Sequence, residues 1–163
     1  MQNNIEKFNY LVGVIFASLY RSFPCRVRIE YLEIIGASQC PETIDEAGNW
    51  TGIYIKDGEL KNLTEELEFL HETLQWLYET GYLIGSVGLS HGGRYATVTL
   101  SPKGLEILKI VPNSISPESS GKSIADELSE ALNASAKEQV GEIAGKALSY
   151  LFKIGWGSLA VIG

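Results

Sequence analysis

A chain of 163 residues, 45% hydrophobic and 20% charged, is long enough to bury one good core and too short for two ordinary domains; the balance excludes a disordered or collagen-like chain. The formal net charge is −7, with five basic against eight acidic side chains over residues 1–60, four against six over 61–112 and four against six over 113–163. General nucleic-acid binding needs cations that displace counterions from phosphate, and no stretch here is basic. Residues 4–20 carry Ile5, Phe8, Leu11, Val12, Ile15, Phe16 and Leu19 at spacings of three and four, which predicts an amphipathic helix. Asn3 and Glu6 form a capping pair at its start, and Phe23-Pro24 ends it. The same stretch has no basic n-region and no small-residue cleavage site, so it reads as a mature helix and not as a signal peptide.

Alternating Val27 and Ile29 predict a short strand, and Tyr31–Gly36 a brief helix. Residues 37–58 are irregular and punctuated by Pro41, Gly48 and Asn49. Within them TGIYI is a candidate edge strand and Asp57-Gly58 a turn. An insertion of this length is either a plain Ω-loop or a binding element. Cys25 and Cys40 lie fifteen residues apart, outside any C-x-x-C pattern and without a companion His cluster. They read as free thiols of a reducing compartment, with one disulfide as the alternative.

Leu63, Leu67, Leu70, Leu74 and Leu77 then recur at helical spacing, predicting a helix that starts with Thr64 as cap and stops at Gly81. At about 100° per residue, Glu65, Glu68, Glu72, Gln75 and Glu79 fall on a second stripe roughly opposite the leucines. No Lys or Arg lies between Asn62 and Gly93. Glutamate is a good helix former, so one reading is an ordinary solvated face. Solvated helices usually mix signs, however, and the other reading is a docking face for a basic protein partner. Phe69 and Trp76 lie seven residues apart beside this stripe. They either pack on a neighbouring element or serve as interface anchors next to the carboxylates.

Two β-prone runs flank Ser90-His91-Gly92-Gly93, a hairpin signal. SPKGLEILKIVP predicts a helix of about eight residues, capped by Ser101, with Pro102 at its first position and Pro112 beyond its end. Residues 113–122 read as a linker between a domain over 1–112 and an amphipathic helical tail over 123–163. The tail carries Ile124, Leu128, Leu132, Ala136, Val140, Ile143, Ala147 and Leu151 on one stripe, and Gly141 and Gly145 allow close helix contact. Ile143 to Gly163 has the length of a membrane span, but Lys146, Lys153 and the glycines Gly155, Gly157 and Gly163 weigh against one. Packing on the domain is the first expectation for the tail; a homodimer contact and interfacial membrane binding are the alternatives.

Helix, short strand, short helix, longer helix, hairpin, helix: over residues 4–112 this order resembles a winged helix-turn-helix domain. TLQWLYETGYL looks like the third helix and its exit into the first wing strand. ATVTLSPKGLEIL is similar to the segment that ends the second wing strand. The resemblance implies a mainly α fold with a small β-hairpin wing, followed here by a long C-terminal helix. It also implies a third helix that enters the DNA major groove. Carried over by position, the groove-facing residues are Glu65, Glu68, Glu72, Gln75 and Glu79, where the family places basic or amide side chains. Four carboxylates facing phosphate disfavour DNA as ligand. His91 and Arg94 are the candidate wing contacts, with Lys103 nearby.

Other chemistry is thin. Ser120-Gly121-Lys122-Ser123 resembles the end of a phosphate-binding loop, but position 116 is serine where that motif needs glycine. His71 and His91 sit on different elements, and no nucleophile motif accompanies them, so neither metal, cofactor nor enzyme activity is expected. The expectation is a cytoplasmic, non-enzymatic interaction protein: an acidic inhibitor or immunity protein that blocks a basic partner such as a nuclease toxin. The alternative is a dimeric winged-helix transcription regulator, with the tail as its dimerisation helix.

Overall fold

The structure, a computed structural model, describes residues 2–90, 93–111 and 121–162. In chain order its elements are α1 (Asn4–Ser22), β1 (Val27–Glu30), α2 (Tyr31–Ile35), β2 (Ala37–Ser38), a 3-10 turn (Pro41–Thr43), β3 (Ile53–Lys56) and β4 (Glu59–Asn62). There follow α3 (Thr64–Glu79), β5 (Leu83–Ser90), β6 (Gly93–Leu100), α4 (Pro102–Lys109), α5 (Ile124–Asn133) and α6 (Lys137–Ile162). The fold is therefore mixed α/β among the described residues: helices dominate as expected, with two small sheets where one hairpin wing is expected. One antiparallel sheet has the order β1-β6-β5 and another the order β2-β3-β4. The second sheet stands where only an irregular loop with one edge strand is expected. Its signal is weak because β2 spans two residues and β4, ELKN, has one apolar side chain. What closes it is Asp57-Gly58: Lys56 pairs with Glu59, and both turn residues have positive φ, 56° and 76°. That is the backbone a two-residue hairpin turn requires.

Local chemistry fixes the helix ends. α1 opens with a capping box: Asn3 Oδ1 accepts from the Glu6 amide and Glu6 Oε2 from the Asn3 amide. Thr64 is the first residue of α3 and not its cap: Leu63 holds the cap position without a side-chain bond, and Asn62 Oδ1 accepts the Thr64 amide at 3.0 Å. At its other end the Gly81 amide donates to Tyr78 O and the Tyr82 amide to Leu77 O, with Gly81 at φ 82°. Glycine meets this left-handed requirement without a Cβ penalty. Ser101 caps α4 by accepting from the Gly104 amide, with Pro102 at the first helical position.

The leucine stripe of α3 is the floor of the core: Leu63, Leu67, Leu70, Leu74 and Leu77 are all buried. They join Val12, Ile15, Phe16 and Leu19 of α1, Ala96, Val98 and Leu100 of β6, and Ile107 and Leu108 of α4 in one cluster. Each such side chain contributes about 1.5–3 kcal/mol by leaving water. The same cluster holds Ile124 and Leu128 of α5 and Val140, Ala144 and Ala147 of α6. The tail is two helices and not one. The chain turns at Ala134–Ala136, where Ser135 takes φ 54°, and α6 lies along α1. Gly13 makes that approach close: a Cβ there would meet Val140 Cγ1 at 2.5 Å and Leu128 Cδ2 at 3.3 Å. Most of the linker, residues 113–120, lies outside the described residues. Among those described, no helix is long and apolar enough to cross a membrane.

Candidate protein-interaction face

α3 turns its leucines inward, so its other stripe faces out. Glu65, Glu68, Glu72 and Glu79 are exposed and Gln75 is half-buried, all along one side of the helix. Among the described residues, none of these four carboxylates forms an ion pair. Glu79 is held from within the stripe, where Gln75 Nε2 donates to its Oε1 at 2.7 Å. Glu66 belongs elsewhere: it leans toward the second sheet and pairs with Lys56 at 2.8 Å. The separation follows from the helical period, which puts Glu66 about 100° from Glu65.

Beside the stripe the aromatic residues form a wall. Trp76 meets Phe8 of α1 edge-to-face, with centroids 5.1 Å apart and planes at 89°, and stacks on Tyr82 at 5.8 Å and 21°. Even so, 41% of Trp76 remains exposed. Phe69 is half-buried, and the Lys7 ammonium lies 4.5 Å from its ring centroid. Phe8, Phe69, Trp76, Thr73, Glu72, Gln75 and Glu79 line an open cleft of about 330 Å³ between α1 and α3. The packing expected of the aromatics is seen for Trp76, which meets Phe8 of the neighbouring helix and still borders the carboxylates.

Sequence reasoning missed Phe8 and Lys7. Phe8 sits at the right spacing to be a core residue of α1, and nothing local says that it meets Trp76 68 residues later. Among the described residues, Lys7 and Lys103 approach the face at its margins. Lys7 lies over Phe69, while Lys103 donates to the Thr80 carbonyl at 2.7 Å and lies 4.2 Å from the Tyr82 ring centroid. Lys103 thereby satisfies a carbonyl at the negative end of α3. Burial raises the pKa of the Tyr82 phenol.

The remaining candidates disperse. His91 falls outside the described residues, and Arg94 lies on β6 opposite Leu89, with its side chain outside the description. His71 is tied to the fold, its Nδ1 2.9 Å from the Tyr31 hydroxyl. Cys25 and Cys40 are free thiols. Lys122 of the rejected phosphate motif pairs with Glu130 at 2.6 Å. Among the described residues, no group of three His, Cys, Asp or Glu side chains is placed to hold a metal ion. Comparison with protein-family models, curated proteins and solved structures gave no match. At the acidic stripe and its aromatic border, exposed charge, exposed aromatic surface and a cleft coincide.

Proposed function

We propose that this protein works by protein–protein contact in the cytoplasm, as an acidic inhibitor or immunity protein that blocks a basic partner such as a nuclease toxin. Glu65, Glu68, Glu72 and Glu79 stand in for nucleic-acid phosphates and occlude the cationic site of the partner. The observation that carries this reading is four exposed carboxylates on one helix face, none ion-paired among the described residues. An unneutralised surface of one sign speeds encounter with the opposite sign and rejects like-charged partners. The test starts from the partner retained on the immobilised protein. The E68K/E72K variant, checked for folding by circular dichroism, should bind it at least a hundredfold more weakly, about 3 kcal/mol, with a slower on-rate. An unchanged dissociation constant removes the proposal.

A second reading, a dimeric winged-helix transcription regulator, draws on a different observation. The β5–β6 hairpin follows three helices and carries β1 on its β6 edge, as a wing would. On the outer side of that sheet the Arg28 guanidinium lies 3.7 Å from the Tyr95 ring centroid. This reading requires salt-dependent retention of duplex DNA and a symmetric dimer. A blank gel shift at low salt together with a monomer in light scattering eliminates it.

A further inference from the structure

We infer that the cleft between α1 and α3 receives an arginine side chain of a protein partner, its guanidinium lying against the aromatic wall and bonded to Glu72 and Glu79. This deepens the proposed function, on which it rests, by naming the chemistry that the acidic face anchors. Trp76 is the centre of the site. Glu72 lies four residues before it and Glu79 three residues after it on α3, so both carboxylates flank the indole on one face of the helix. Phe8 closes the α1 side, meeting Trp76 at 5.1 Å. The volume, about 330 Å³, admits one long side chain.

Three features select a cation over an apolar side chain. The walls offer ring surface, whose quadrupole attracts positive charge. Among the described residues Glu72 and Glu79 form no ion pair. The molecule already places a cation at this border, because the Lys7 ammonium sits 4.5 Å from the Phe69 centroid. Arginine fits better than lysine. A planar guanidinium stacks on an indole and at the same time presents edge N–H groups to carboxylates, whereas an ammonium is a point charge with a strongly held hydration shell. The Gln75 Nε2 donor already fixes one Glu79 oxygen at 2.7 Å, which holds that carboxylate in place before the ligand arrives.

The experiment titrates a capped Gly-Arg-Gly peptide into the full chain and follows the Trp76 indole N–H by NMR, assigned with the W76F variant. Capped Gly-citrulline-Gly and Gly-Lys-Gly peptides are the comparisons. A saturable shift with the arginine peptide is expected, with no shift from citrulline, which keeps the shape and loses the charge, and weaker binding of lysine. The E72Q/E79Q variant should bind the arginine peptide about tenfold more weakly, and K7M, which removes the resident cation, should bind it more tightly. Equal shifts from arginine and citrulline, or no shift from arginine, overturn the inference. That failure is separable from failure of the broader reading: if E65K/E68K, which leaves both cleft carboxylates in place, still weakens the partner complex, the acidic face binds without using the cleft.

Discussion

Single residues show where this fold has room and where it has none. Gly13 and Gly141 lie on facing helices, yet their surroundings differ sharply. A Cβ on Gly13 would stand 2.5 Å from Val140 Cγ1 and 3.1 Å from the Val140 carbonyl oxygen, whereas on Gly141 the nearest atom, Tyr10 N, is 3.6 Å away. Gly13→Ala should therefore destabilise the protein by about 1–3 kcal/mol through forced separation of α1 and α6. Gly141→Ala should raise stability by about 0.5–1 kcal/mol, since alanine removes the entropic cost of helical glycine. Urea denaturation of the two variants tests both signs, and a Gly13→Ala midpoint at or above the parent's would contradict the close approach. The residue scale also shows a limit of pattern reading. Thr64 looks like the cap of α3, but the oxygen that accepts its amide belongs to Asn62. Both side chains suit the role, and only the backbone path decides between them.

At the scale of elements, caps and stripes were legible where one residue type has one physical use. Asn3 with Glu6, Ser101 with Pro102, and the five leucines of α3 stand as their spacing predicts. The second sheet was not legible, because its alternation is weak and pairing is carried by the positive φ of Asp57 and Gly58. Nor was the break between α5 and α6, where neither glycine nor proline marks Ser135. At the start of α5, the Ser123 hydroxyl and amide both donate to Asp126 Oδ2, and these bonds to the ionised form lower the Asp126 pKa. A folded-state pKa below the unfolded one gives stability that is present above the unfolded value and lost as pH falls through the folded one. Lys122 acts with the opposite sign: its bond to Glu130 raises its pKa, so that contribution is lost as pH rises through the folded value. Acidification should thus lower the amide-exchange protection factors of α5, the rates being taken relative to the intrinsic rate at each pH. Asp126→Asn should flatten that acid dependence, and a variant with the parent's profile would place the titrating group elsewhere.

For the whole molecule, the question is whether the tail is an appendage or part of the core. Val140, Ala144 and Ala147 are buried in the cluster that also contains Phe16 and Leu70. A chain ending at Ala136 should lose about 3 kcal/mol or more of stability from the apolar surface of α1 left uncovered. An unchanged urea midpoint for that truncation would show that α6 adds nothing to the fold. The charge of the molecule, −7 in all, works at the same scale, since it sets which partners approach at all. The site was half legible for a related reason. Glu65, Glu68, Glu72 and Glu79 follow from helical period alone, while the cleft needs Phe8, which reaches Trp76 only once α1 and α3 have packed.

The contact between Gly13 and Val140 also has a meaning in time. The ribosome makes α1 before α6, and the side chain that fits against Gly13 emerges 127 residues after it. At 5–20 residues per second that interval is about 6–25 s, during which the apolar stripe of α1 has no α6 to cover it. Newborn copies of this protein spend those seconds as sticky intermediates. Lower chaperone supply should therefore reduce the soluble yield of this protein in a cell even with the finished fold unchanged.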